Sequence, residues 1–142
     1  MRTAIAALLL AFSVPAPRAV SAASTPADLA LPEVPPTAPA FDGWEVKTDK
    51  VLAREQIDMI QSKLGGKIKS LRNVAYIVNG RIVQLNVIVP QNWQEGDKIY
   101  KALASVKPPW AVARKPDALY EFVGPNDSID DIKKAHDKLA NP

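Results

Sequence analysis

The chain has 142 residues, with 18 basic and 15 acidic side chains, one histidine and no cysteine. That length suits one domain, and the missing thiols exclude disulfides, thiol catalysis, thiolate metal sites and a lipidated N-terminal cysteine. The formal charge of +3 counts Arg2 and Arg18; without those two of the 18 basic residues, 16 face 15 acidic ones, a net of +1, which gives no electrostatic case for nucleic-acid binding.

Those two arginines stand in a segment with the three parts of a secretory signal peptide. Arg2 supplies the basic start, Ala4 to Val14 the apolar run, and Ala19-Val20-Ser21-Ala22-Ala23 the small residues at a cut. The apolar run is well short of the roughly 20 residues that span a bilayer. The expectation is a signal peptide over 1–22, cleaved near Ala22 or Ala23, and a secreted or periplasmic product with no transmembrane segment in the mature chain. Residues 23–40 carry Pro26, Pro32, Pro35, Pro36 and Pro39; such a stretch favours extended polyproline conformations and reads as a flexible leader. Residues 41–142 are expected to form a single α+β domain, long enough for one core.

Within the domain, Trp44 and Val46 share parity and suggest a short first strand. Ala53, Ile57, Ile60 and Leu64 recur on one helical face, with Thr48 or Asp49 as the expected cap and Gly65-Gly66 as the stop. Asn79-Gly80 suits a type I′ hairpin turn. Closing it there pairs Val78 with Arg81, Tyr76 with Val83 and Val74 with Leu85. One hairpin face then carries Val74, Tyr76, Val78, Val83, Leu85, Val87 and Val89. The other carries Asn73, Ala75, Ile77, Ile82, Gln84, Asn86 and Ile88.

A second helix is expected from the region of Asn92, where Asn92 with Glu95 resembles a capping box. Ile99, Ala102, Leu103 and Val106 form its stripe, and Lys107-Pro108-Pro109 stops it. A short strand over Trp110–Arg114, a turn at Lys115-Pro116-Asp117 and a last strand over Leu119–Val123 follow. A C-terminal helix begins at a Ser128 cap, with Asp130 and Asp131 in its first turn and Ile129, Ile132, Ala135 and Leu139 as its apolar stripe.

This succession gives the fold class: α+β, a ferredoxin-like βαββαβ antiparallel sheet with helices on one face, plus an extra C-terminal helix. In that pattern the first hairpin strand lies at a sheet edge. The core face is expected to be Val74, Tyr76, Val83, Leu85 and Val87 under the first two helices, and the C-terminal helix to cover part of the other face.

Few residue patterns point to chemistry. His136 stands alone, too few ligands for an ordinary transition-metal site and without an orienting partner for base catalysis, so no metal site and no cofactor are expected. Asn126-Asp127-Ser128-Ile129-Asp130-Asp131 lacks the spacing of a calcium loop, and Gly65-Gly66-Lys67 lacks the rest of a phosphate loop. Lys63, Lys67, Lys69, Arg72 and Arg81 make a basic edge, and Lys67, Lys69 and Arg72 fall on or just before the expected edge strand, where charge discourages edge-to-edge association. Trp44, Trp93 and Trp110 suit core plugs or interface anchors.

The expected function is therefore an exported soluble binding or adaptor module, inhibitor- or chaperone-like, contacting an exported or envelope protein and no nucleic acid. Its expected contact surface is the mixed hairpin face, Ala75, Ile77, Ile82, Gln84, Asn86 and Ile88. Two alternatives stand beside it. One is a small exported hydrolase or lyase using Glu45, Glu95, Asp97 or Glu121, which requires a pocket with a raised-pKa carboxylate. The other is an envelope-surface protein that binds anionic surfaces through the basic edge.

Overall fold

The chain leaves β1 (Trp44–Val51), passes through α1 (Arg54–Leu64), and makes a hairpin of β2 (Ile68–Val78) and β3 (Arg81–Pro90). Then come α2 (Trp93–Val106), β4 (Val112–Arg114), β5 (Leu119–Val123) and α3 (Ile129–Ala140), with single 3-10 turns at Pro109–Ala111 and Asn126–Ser128. The structure is a computed structural model that describes residues 31–141. The expected signal peptide and the leader up to residue 30 lie outside the described residues.

The hairpin forms as its turn chemistry demands. Asn79 and Gly80 take φ of 51° and 77°, the two left-handed positions of a type I′ turn. The register is the expected one, Val78 with Arg81, Tyr76 with Val83 and Val74 with Leu85. Every strand pair is antiparallel, and the sheet runs β1-β2-β3-β5-β4.

The α+β class, the antiparallel sheet, both central helices on one face and the extra C-terminal helix are all present. The ferredoxin-like succession of elements is also seen, with the short β4 added. The first three strands, however, pair in chain order, and this corrects one placement: β2 lies inside the sheet, between β1 and β3, and not at an edge. The reason is local. The Leu52 N–H donates to the Leu71 carbonyl at 2.9 Å, so β2 starts at the end where β1 stops. A parallel neighbour needs a crossover that carries the chain back along the sheet, and α1 does not make that journey.

The same pairing lengthens both strands. Thr48 and Asp49, expected as helix caps, lie in β1 opposite Ala75 and Val74. α1 instead starts after Ala53, whose N–H donates to Gln56 Oε1 at 3.1 Å, and ends on Gly65 at φ 74°. α2 keeps its expected cap, with the Glu95 N–H donating to Asn92 Oδ1 at 2.9 Å. Ser128 stands at the start of α3, but its hydroxyl is buried and makes no capping bond.

The two sheet faces carry two cores. On one face, Val74, Tyr76, Val78, Val83, Leu85, Val87 and Phe122 pack with Ile132, Ala135 and Leu139 of α3. On the other, Leu71, Ile88 and Leu119 pack with Ile57 of α1 and Ile99 and Leu103 of α2. This corrects the expected core: α3, and not α1 and α2, covers the strongly apolar face. The two central helices are also short of apolar stripe, since Val106 is exposed and Ile60 and Leu64 are half-buried.

The leader helps α3 to fill that face. Leu31 and Phe41 belong to its core, Arg72 Nη2 donates to the Pro35 carbonyl at 3.2 Å, and the Tyr76 hydroxyl donates to the Pro39 carbonyl at 2.8 Å. Residues 31–40, expected as part of a flexible spacer, thus lie as a strap on the sheet. Proline removes backbone donors, so the strap needs few partners, and Arg72 and Tyr76 satisfy two of its carbonyls.

Candidate functional site

The second face is only half covered. Its side chains form rows across the strands. Leu71, Ile88 and Leu119 make one row, Asn73, Asn86 and Glu121 the next, then Ala75, Gln84 and Val123, then Ile77 and Ile82. β1 extends the last three rows with Lys50, Thr48 and Glu45. The first row is buried beneath α1 and α2, the second is half-buried, and exposure then rises to 42 % at Val123, 36 % at Ile77 and 44 % at Ile82.

A hydrogen-bonded chain crosses the boundary between covered and open halves. Asn73 Nδ2 donates to Asn86 Oδ1 at 2.7 Å and to Gln84 Oε1 at 3.3 Å. Asn86 Nδ2 donates to Glu121 Oε1 at 3.0 Å, and Lys107, at the end of α2, closes the row with Nζ 3.2 Å from Glu121 Oε2. These polar groups already have partners, so covering them costs little of the penalty that unpaired groups carry. Beside them lie three exposed apolar side chains on a rigid sheet.

Five of the six expected contact residues are on this open half: Ala75, Ile77, Ile82, Gln84 and Asn86. Ile88 is not. It is 1 % exposed and belongs to the core under the central helices. Val123, Thr48 and the Asn73–Glu121 chain complete the surface. Parity alone gives the side each residue of β5 faces only once its neighbour is known, and the pairing of β5 with β3 is a tertiary fact.

The other expected groups disperse. The basic set does not form one edge: Arg72 is largely buried against Asp49 at 2.8 Å, Lys69 meets Glu33 at 3.4 Å, and Arg81 pairs with Asp127. Lys63 lies on α1 and Lys67 just after it, both exposed. The carboxylates are apart as well. Glu45 on β1 and Glu121 on β5 are three strand spacings apart across the sheet, about 14 Å, and two rows apart along it. Asp97 pairs with Arg114 at 2.5 Å. Glu95 accepts the Lys67 N–H at 2.8 Å and the Lys98 ammonium at 2.9 Å. These bonds, the backbone one foremost, hold its carboxyl below the usual range, the opposite of a poised general acid.

His136 is half-buried; its Nε2–H donates to the Val112 carbonyl at 2.8 Å and ties α3 to β4. All three tryptophans are half-buried. Trp44 joins Phe41, Tyr76 and Phe122 in an aromatic cluster, with ring centroids 4.8 Å from Phe41 and 5.1 Å from Tyr76. Trp93 and Trp110 pack against both cores, where the two faces meet, and Arg114 lies 4.8 Å above the Trp93 ring.

On the strap side, Phe41, Asp42, Trp44, Asp131, Lys134, Ala135 and Lys138 line a cleft of about 320 Å³. Its two carboxylates and two ammonium groups balance, so it favours neither sign of ligand. Among the described residues no helix is long and apolar enough to cross a membrane. No protein-family model, no curated protein and no solved structure matches the chain.

Proposed function

We propose that the chain is an exported binding or adaptor module that docks a partner protein across the open half of its sheet, as an inhibitor of or folding helper for an exported protein. The observation that carries this reading is the pairing of exposed Ile77, Ile82 and Val123 with a polar row whose members are already bonded to each other. Such a surface gains from apolar burial and loses little by desolvation. The partner surface that fits it is apolar at the centre, with polar groups at a rim set by Glu45 and Lys50. Export rests on the sequence of residues 1–22.

Site-specific photo-crosslinking in the native compartment tests the reading. A photoreactive residue at Val123 is expected to capture one discrete partner. The same residue at Lys101, on the exposed side of α2, is expected to capture none. Adding Ile77→Glu with Ile82→Glu is expected to abolish capture from Val123 while circular dichroism shows the fold intact. Equal capture from both positions, or capture that survives the double substitution, would place the contact elsewhere and remove the proposal.

A further inference from the structure

The two edges of the sheet differ. β4 is three residues long and is tied to α3 through His136. β1 has eight residues, all exposed except half-buried Trp44, and no described strand lies beyond it. Val46 and Val51 keep 49 % and 48 % of their surface exposed. An open edge with apolar side chains is a template for another strand.

A bulge decides which strand fits. The register with β2 shifts between Val46 and Thr48, leaving Lys47 without a partner there. Every later residue therefore changes side. Trp44, Val46, Asp49 and Val51 share the side of Tyr76 and Val74, while Glu45, Thr48 and Lys50 share the side of Ile77 and Ala75. An unbroken strand joined to its own copy across a two-fold axis matches residues of like parity. The bulge reverses parity halfway. An axis between Lys47 and Thr48 then matches Trp44 with Val51, Glu45 with Lys50 and Val46 with Asp49, each pair on one side of the sheet.

The side chains suit that register. Each pair occurs twice in a symmetric contact. Glu45 meets Lys50 with opposite charge, Trp44 meets Val51 as an aromatic–aliphatic pair, and no like charges are opposed. Asp49, opposite Val46, is already compensated by Arg72 at 2.8 Å. Lys47 and the bulge hinder unrelated edges, whereas a second copy carries the matching bulge.

We propose that two copies of this chain join through β1 into one continuous antiparallel sheet. Because each matched pair shares a side, the open halves of the two copies then face the same way. The proposal does not depend on what docks there.

Analytical ultracentrifugation of the protein as recovered from cells, over dilutions up to about 0.1 mM, is expected to show a reversible monomer–dimer equilibrium. Lys50→Glu sets two like-charge pairs across the axis and is expected to raise the dimer Kd about tenfold or more; Glu45→Lys together with Lys50→Glu is expected to restore it. A monomer at every concentration overturns the proposal. So does a dimer whose Kd neither variant moves, or one that both variants weaken alike. If Lys50→Glu does not fold, hydrogen exchange on the unaltered protein decides: β1 amides that gain protection with concentration support the interface, and β1 exchange indifferent to concentration overturns it.

Discussion

Gly66 marks the closest approach of the α1 exit to α2. A Cβ placed there would lie 2.7 Å from Ile99 Cγ1 and 2.8 Å from the Glu95 carbonyl oxygen. Ile99 is fully buried and the carbonyl belongs to a helix, so neither yields cheaply. Gly66→Ala is expected to destabilise by about 1–3 kcal/mol through overpacking, measured by urea denaturation. Gly65, its neighbour, serves differently: it has open space around its Cβ position and a φ of 74°, the conformation that ends a helix. Sequence reading treats both glycines as one helix stop. Only the first is a stop; the second makes room for Glu95 and Ile99, far along the chain, which no local pattern encodes.

At the scale of elements, α3 and the strap finish a face that α1 and α2 leave bare. α3 buries Ile132, Ala135 and Leu139. It is pinned at both ends, by Asn79 Nδ2 donating to Asp131 at 3.1 Å and by Lys115 Nζ donating to the Leu139 carbonyl at 2.8 Å. Burial of Ile132 and Leu139 alone contributes about 4 kcal/mol, a large part of the total for a small domain. A chain stopped before Ser128 is therefore expected to lose its cooperative thermal transition in circular dichroism; an unchanged midpoint would mean that α3 is an appendage. The apolar stripe of α3 was plain in the sequence. Its partner was not, because a stripe states that a face must be buried and leaves open against what.

Across the whole molecule, the apolar face holds two phenols that report on its integrity. Burial, aided by the charges of Asp49 and Tyr120, pushes the Tyr76 hydroxyl well above its ordinary range, and burial with the Asp117 carboxylate pushes Tyr120 up to about 12. Both folded values exceed the ordinary 10.0. The stability they contribute is therefore fully present below pH 10 and is lost as pH rises through the folded values. Stability should fall between pH 10 and about 12, with the phenolate absorbance of these two residues appearing together with loss of the far-ultraviolet signal. Phenolate absorbance from all tyrosines well before unfolding would show that the strap and α3 do not seal this face.

Much of the element structure was legible because it is local. Asn79-Gly80 sets the hairpin and its register, Asn92 with Glu95 starts α2, and the C-terminal stripe marks α3; each depends on residues within a few positions of each other. The proposed contact surface was legible to the extent that it lies on one hairpin, where the turn alone decides the side each residue faces. What only the tertiary structure decided are the choices between surfaces of similar pattern: which face α1 and α2 cover, that Ile88 falls beneath them, that β2 has a neighbour on each side, and that the proline-rich strap belongs to the core. A sheet apolar on both sides offers each helix two seats. The length of the connections, and where the chain re-enters the sheet, select between them.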